Sequence, residues 1–585
     1  MKKRISSLLL ASCMFLPACS QFILGGTSSL ESSSLESSFS SLSATSSLSN
    51  SLESASESSL ESSIQSSMES ASDSYDDSSR ESFWGSSSES SWGSSSESSW
   101  ESSSESSSTT DQGDEHTDND NDGYCDGCHT SVTVTFDFIA LNDLHGKFAD
   151  TDSQPGVDEL STYIKETKEA NENTVLLSSG DMWQGSAESN LTKGNIVTDW
   201  MNEMEFTSMT LGNHEYDWGE EAVIANSELA KFPFLAINVY DRDTNERVDY
   251  CEASVMVEYS GVQIGIIGAI GDCYSSISAD KVQDIYFKTG SELTKLVKDE
   301  STKLKAEGAD FIVYSLHDGY EKSYSTQPTI TSLGYYESIL SSTYIDLVFE
   351  GHTHQRYVFK DGAGVYHMQG GGDNDGVSHA KVTINSANGN WAMDKAEFVS
   401  ADKYKNLTSS SIVDALMEKY AEQIEKANEV LGKNRKYRSS SELLQTCAQL
   451  YYEKGLETWG EEYDIVLGGG FMSARSPYNL QAGTVTYGDL QSILPFDNQI
   501  VLCSISGYDL RTKFFETTNS RYYIYYDTYG AEIRNNIQNN KTYYIITDTY
   551  TSTYKYNNLT EIARLDETTF ARDLLAAYIK QGGFA

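Results

Sequence analysis

The amino-acid sequence predicts an α/β chain in which a layered α/β domain precedes a second, mixed α/β domain. Three observations predict it. Strand-like runs alternate with helix-like stretches from Val132 onward, the pattern of α/β layers. Residues of metal-ligand type stand just after the ends of those runs, where such folds build their sites. The composition also changes near residue 130, from Ser and Glu to a globular mixture rich in Tyr, Ile and Leu, enough to bury a sizeable core.

Taken in order, Met1-Lys2-Lys3-Arg4 is a basic leader and Ile5 to Leu16 a short apolar run, the layout of an export signal. The run is too short for a mature membrane helix. Leu16-Pro17-Ala18-Cys19 is similar to a bacterial lipoprotein cleavage box. Residues 1–19 are therefore expected to be a lipoprotein-type signal with Cys19 as the lipid site, ordinary secretion being the alternative. Membrane contact is expected only through that lipid, on an exported, surface-anchored monomer. Residues 20–110 repeat Ser-Ser-Glu-like units. Low hydrophobicity and negative charge predict a disordered, self-repelling stalk.

Residues 111–130 hold Asp118, Asp120, Asp122, Gly123 and Asp126, with Cys125, Cys128 and His129 among them. Asp at alternate positions followed by Gly fits the first half of a calcium loop. His129 stands where a bidentate Glu would close it. One structural calcium at Asp118, Asp120, Asp122 and Asp126 is the expectation.

The first domain is expected over 131–405. Its strand-like runs cover 132–141, 174–178, 234–238, 262–267, 311–315 and 345–349, with helix-like stretches at 157–170 and 292–307. Apolar residues Ile412, Leu416, Tyr420 and Ile424 recur at helical spacing, which predicts one amphipathic helix over 411–431 within a linker spanning 406–432. Gly432 can end it. The second domain, 433–585, opens with a helix at 441–454 and closes with one at 568–580. Eight cysteines are too few for a disulfide scaffold, although Cys251 and Cys273 flank a strand-like run and could pair.

A net charge of -46 argues against a duplex nucleic-acid binder, which needs Lys and Arg clusters. A small anionic substrate remains compatible, because a metal centre supplies positive charge locally. Five blocks carry that chemistry: Asn142-Asp143-Leu144-His145-Gly146, Gly180-Asp181, Gly212-Asn213-His214-Glu215-Tyr216-Asp217, His317-Asp318-Gly319 and Gly351-His352-Thr353-His354. Any one alone is ordinary: a lone His is usually a core or surface residue and a lone Gly-Asp a turn. Together they take five of the nine histidines, each after a strand-like run. Asp, Asn and His in mixture suit zinc or manganese.

These blocks resemble the calcineurin-like metallophosphoesterases, and within them the bacterial 5′-nucleotidase and UDP-sugar hydrolase family, over roughly residues 135–585. The resemblance implies a four-layer β-sandwich flanked by helices, joined to a substrate-binding domain. It implies two divalent transition metals, one held by Asp143, His145, Asp181 and His354, the other by Asp181, Asn213, His317 and His352. His214, paired with Asp217, would act outside the ligand sphere as the catalytic group. In the second domain, Gly468-Gly469-Gly470-Phe471 and Leu494-Pro495-Phe496 are similar to that family's nucleotide pocket. Gly469 and Gly470 would let substrate approach the backbone, and Phe496 and Tyr550 would stack on a nucleobase. Arg475 and Arg438 are the loosest matches, since Met472 occupies the position where the family carries Arg. The expected activity is hydrolysis of nucleotide phosphomonoesters. A 2′,3′-cyclic nucleotide phosphodiesterase, a UDP-sugar hydrolase and a non-catalytic surface binding lipoprotein are the alternatives.

Overall fold

The computed structural model describes residues 116–148, 155–322, 328–329, 343–475, 479–556, 558–566 and 568–585. The signal-type segment with Cys19 and the serine-rich stretch 20–110 lie outside the described residues. Strand β1 (Thr133–Leu141) is built of Thr, Val, Phe and Ile, residues that fit a pleated, half-buried surface. Helix α1 (Val157–Ala170) follows, burying Val157, Leu160 and Ile164 on one face and carrying Asp158 and Glu159 in its first turn, where acidic side chains complement the helix dipole. Strand β2 (Thr174–Ser178), helix α2 (Asn195–Glu203), strand β3 (Ser208–Thr210), helix α3 (Glu220–Leu229) and strand β4 (Phe234–Leu235) continue the alternation. Strands β1 to β4 pair in parallel, in that order.

A second run supplies β5 (Ser254–Tyr259), β6 (Val262–Ile270), α4 (Gly290–Ala306), β7 (Phe311–His317), β8 (Leu347–Glu350), β9 (Arg356–Lys360) and β10 (Tyr366–Gly370). Strands β11 (Gly376–Asn385) and β12 (Trp391–Ser400) then return to the first sheet, β11 antiparallel to β1. The result is two six-stranded sheets, β12-β11-β1-β2-β3-β4 and β9-β10-β8-β7-β6-β5. Phe136, Phe138, Leu177, Ile264, Phe311 and Phe349 fill the space between them. Leu160, Ile164, Trp200 and Val223 of the helices cover the outside of the first sheet, and Leu293, Val297 and Leu304 of α4 cover the second. The layering is therefore helix, sheet, sheet, helix. Each fully buried Leu, Ile or Phe side chain contributes about 1.5–3 kcal/mol, so the sandwich is a stiff platform for the loops at its strand ends.

The predicted single helix over 411–431 is broken. Helix α5 (Ser411–Lys419) stops at Tyr420, a short turn of helix follows at Ala421–Ile424, and β13 (Val430–Asn434) is already a strand. The break has a cause: the Tyr420 hydroxyl and the Lys419 ammonium both reach Asp199 of α2, which draws Tyr420 out of helical backbone geometry. Strand 234–238 is also shorter than its sequence suggests. It ends at Leu235, and the Asn238 side chain instead donates to the carbonyls of Ile270 and Lys288. Cys251 and Cys273 are both free; their thiols donate to the carbonyls of Ala236 and His317.

The second domain comprises α6 (Ser440–Trp459), β14 (Ile465–Phe471), β15 (Gly483–Thr486), α7 (Tyr487–Ile493), β16 (Ile500–Ser506), β17 (Tyr522–Tyr525), β18 (Thr542–Asp548), β19 (Thr560–Arg564) and α8 (Ala571–Lys580). Its sheet runs β17-β14-β18-β16-β19, and β13 pairs separately with β15. Ser439 and Glu442 close a capping box at the start of α6, which satisfies two amide groups that a bare helix end leaves open. Among the described residues no helix is long and apolar enough to cross a membrane.

Candidate metal centre

The ligand-type residues converge because the strands that precede them are neighbours. Asp143 follows β1, Asp181 follows β2, Asn213 follows β3, His317 ends β7 and His352 follows β8. The β1–β2 pairing continues past the strand ends: the Asp143 and His145 N–H groups donate to the carbonyls of Gly180 and Asp181. Asp143, His145, Asp181, His352 and His354 all adopt left-handed backbone, φ between 50 and 66°. Residues other than Gly rarely sit there, and such strain clusters at functional sites. Gly180, at φ 93°, could not be replaced cheaply. A Cβ on it would lie 2.6 Å from His317 Nδ1, and one on Gly212 would lie 2.3 Å from Asp181 Oδ1. The glycines of these motifs are spacers for a crowded site.

One donor atom each from Asp143, His145 and His354 lie within 4.8 Å of one another, as do those of Asp143, Asp181 and His317. His145 Nε2 is 3.1 Å from His354 Nε2. His317 Nε2 is 3.1 Å from Asp181 Oδ2 and 3.2 Å from Asn213 Oδ1. The second nitrogen of each key ring is already committed: His145 Nδ1 to the Gln184 carbonyl at 3.0 Å, His317 Nδ1 to the Ser179 carbonyl at 2.6 Å. A carbonyl at Nδ1 fixes the tautomer and turns a bare Nε2 lone pair inward. With the rings deprotonated, the centre of the site holds lone pairs facing lone pairs and carboxylates, an arrangement that fits divalent cations. Burial pushes the His317 ring toward neutrality, but the Asp181 carboxylate dominates and lifts it to about 10. The same field draws a metal. His352 stands beside His317, rings 5.5 Å apart. Cys273 also approaches this pair, yet burial, then the charges of Asp318 and Asp181, hold its thiol well above the ordinary range.

His214 lies next to this cluster. Its Nδ1 is 2.8 Å from Asp217 Oδ2, its backbone N–H donates to Asp181 Oδ1, and its ring stands edge-on to His145, centroids 5.2 Å apart. Burial lowers its proton affinity, but the carboxylates of Asp217 and Asp181 outweigh that and raise it above the usual value. From the second domain, Arg475 Nη1 comes within 3.5 Å of His214 Nε2, while its buried Nη2 has no hydrogen-bond partner among the described residues. The Phe496 ring also approaches His214, at 6.4 Å.

Phe496 and Tyr550 line one pocket with Met472, Ser473 and Asn498, and the Tyr550 ring leans on Phe471 at 5.9 Å. Two expectations for this domain are corrected. Gly469 and Gly470 face packed protein rather than the aromatic pocket: a Cβ at Gly469 would meet the Tyr523 carbonyl at 2.1 Å, and one at Gly470 would meet Thr547 Oγ1 at 2.6 Å. They are glycine because the sheet and α6 pack tightly there. Arg438 turns elsewhere, its guanidinium 3.9 Å over the Phe584 ring and its Nε donating to Asn434.

In the loop before β1, the carboxylates of Asp118, Asp120 and Asp122 gather within 4.8 Å. Asp126 is turned away to accept from the backbone and side-chain amides of Asn119. Sequence reasoning missed Glu215. It reads as part of the ligand motif, but its carboxylate accepts from the N–H groups of Asp181, Met182 and Gly212 at 2.7–2.9 Å. It ties together the loops after β2 and β3. Burial, then the nearby Asp181 charge, push Glu215 up to about 7. The adjacent Gly-Asn-His motif was the available signal. Lys147 and Asp373, 3.4 Å apart beside the cluster, carried no sequence signal.

Comparison with known proteins agrees with this geometry. Residues 136–356 match the calcineurin-like phosphoesterase family, and residues 425–566 match the 5′-nucleotidase C-terminal domain. An apyrase of Tabanus yao is 29% identical over 235 residues, covering 37% of this chain and only 38% of the apyrase. Protein UshA of Yersinia enterocolitica is 24% identical over 443 residues, 66% of this chain and 77% of UshA. Among solved structures, a 5′-nucleotidase precursor from Thermus thermophilus shares the fold at a TM-score of 0.56 and 16% identity, over 77% of this chain and 96% of that one. The chain is a metal-dependent phosphoesterase, a calcineurin-like phosphoesterase domain followed by a 5′-nucleotidase C-terminal domain, the domain pair of the 5′-nucleotidase family.

Proposed function

We propose that the enzyme hydrolyses nucleotide phosphomonoesters, with the phosphoryl group at the metal centre and the base in the pocket of the second domain. The observation that carries this reading is Arg475. It belongs to the domain with the aromatic pocket, yet its Nη1 reaches His214 of the other domain, while its buried Nη2 has no hydrogen-bond partner among the described residues. A phosphate between metals and pocket would supply the missing acceptors, and a charge-assisted bond of that kind is among the stronger ones available.

Asp143, His145, Asp181 and His354 would hold one cation and Asp181, Asn213, His317 and His352 the other, with zinc or manganese suited to the donors. Bound there, two cations supply a water of lowered pKa and a clamp on the phosphoryl oxygens. Asp217 fixes the His214 tautomer and favours its charged form, so His214 can meet charge growing on the phosphoryl or leaving oxygen. Arg475 orients the phosphate from the opposite wall. Phe496 and Tyr550 offer faces to a base, a contact tolerant of base identity. Glu215 positions the ligand loops without touching substrate. The gathered Asp118, Asp120 and Asp122 support a structural cation remote from the chemistry, and the leader sequence supports export with a lipid at Cys19.

The test is a metal-supplemented assay with p-nitrophenyl phosphate, bis-p-nitrophenyl phosphate and a panel of nucleotides, cyclic nucleotides and UDP-sugars. The proposal expects nucleoside monophosphates to give the highest kcat/KM. Preference for 2′,3′-cyclic nucleotides or UDP-sugars would keep the chemistry and replace the substrate. No turnover with any divalent transition metal would leave only a binding protein.

A further inference from the structure

The turn that precedes β1 collects a donor set for which the phosphoesterase chemistry has no use. His116, Cys125 and Cys128 bring one ring nitrogen and two sulfurs within 4.8 Å of one another. His116 Nδ1 lies 3.4 Å from Cys128 Sγ, and both cysteines are free. The turn is tied down on every side. Cys125 N–H donates to the Thr130 carbonyl, Asp126 N–H to Thr117, His129 N–H to Cys125 and Val132 N–H to Gly123, all at 2.7–3.0 Å. The Asn385 side chain of β11 holds Asp118 at 2.6 Å. Cys125 is buried, 5% exposed, while Cys128 and His116 face outward.

We propose that His116, Cys125 and Cys128 form a second metal site, distinct from the catalytic centre, that binds zinc as a structural ion. Two thiolates and an imidazole are a zinc donor set, whereas calcium takes hard oxygen ligands. Two cysteines three residues apart in a tight turn give the short bite found at structural zinc sites. On binding, each thiol releases its proton to solvent and no electron is transferred. The outward side leaves the fourth position to water or to the ring of His129, which follows Cys128 in the chain. The ion would cross-link the turn at the point where the serine-rich segment meets β1, so the first catalytic strand starts from a fixed anchor.

The competing fate of a Cys-x-x-Cys pair in an exported protein is a disulfide, and the experiment separates the two. The reduced, metal-stripped full chain is titrated with Co(II) and then with Zn(II). A sulfur-to-cobalt charge-transfer band should appear in the near ultraviolet and vanish as zinc displaces cobalt. The band should be absent in the Cys125→Ser/Cys128→Ser variant and weakened in His116→Ala, with phosphomonoester turnover unchanged in both. The proposed catalytic ligands are oxygen and nitrogen and give no such band, and Cys273→Ser controls for the thiol near them. If the double variant folds poorly, His116→Ala carries the comparison. No band in reduced wild type, a band that survives in the double variant, or recovery of a Cys125–Cys128 disulfide from protein as cells export it would each overturn the proposal.

Discussion

The two walls of the site are made differently. On the catalytic side, donors come from loops at the ends of adjacent strands, their rings are pinned by carbonyls, and five of them sit in strained left-handed backbone. On the side of the second domain, one long Arg and two half-buried aromatic rings come from the segments that follow β14, α7 and β18. The first wall is preorganised for one reaction. The second presents single side chains from separate loops and should be able to change without disturbing the first. On the proposed function, reaction type and substrate choice would be separated in space, and mutations on the two walls should be separable in kinetics.

The largest effect is expected at Asp181, the residue proposed as a ligand to both cations. Asp181→Ala should lower kcat by at least ~10³-fold with loss of bound metal, measured by turnover and elemental analysis together. Near-normal metal content would deny it the bridging place. His214→Ala should retain metal but lose about 10²–10³-fold in kcat, the scale of a lost acid–base group; wild-type turnover would remove His214 from the mechanism. Arg475→Ala should cost about 10–10²-fold in kcat/KM for nucleotides, as expected of a hydrogen bond to a charged group, with Arg475→Lys between the two. Phe496→Ala should cost about 10-fold in kcat/KM for nucleotides and leave p-nitrophenyl phosphate nearly untouched. A uniform loss on both substrates would make Phe496 a packing residue and blur the division between the walls.

The smallest effect concerns the platform. His367 Nδ1 is 3.0 Å from Glu350 and its Nε2 3.5 Å from Asp361. Burial disfavours its charge, but those carboxylates win and raise it to about 9. Its folded-state affinity for the proton exceeds that of the unfolded chain, so the stabilisation is complete below the ordinary histidine value of about 6.5. It is lost as pH climbs through 9. Thermal melts should show a drop of a few degrees between pH 7 and 10 in wild type and a smaller one in His367→Gln.

Much of the first wall was legible in the sequence because strand ends and ligand motifs coincide there. Asp143, Asp181, His317 and His352 each follow a run whose pattern already reads as a strand, whereas Asn213 follows the three-residue β3, which the sequence pattern does not mark. What stayed hidden depends on contacts between distant segments. Glu215 reads like another ligand, and only the folded chain shows three amides from two loops converging on it. The 411–431 stretch has perfect helical spacing, and nothing in it announces that Asp199, far upstream, will capture Tyr420. Gly469 and Gly470 look like a ligand cradle, whereas Tyr523 and Thr547 occupy the space. Arg438 and Arg475 were equally plausible by position. The fold alone decides that one covers Phe584 and the other enters the site.

Arg475 has a consequence for the molecule as a system. On the proposed function, the reacting centre would need both bodies for full rate: the metals on one and the Arg475 guanidinium on the other. Catalysis then reports domain contact as directly as any distance probe would. A cut in the connection after α5 should leave metal affinity intact while the output falls to that of a site missing its opposite wall. Adding the severed second domain back would restore the signal in proportion to its occupancy, turning a hydrolase into a readout of its own assembly.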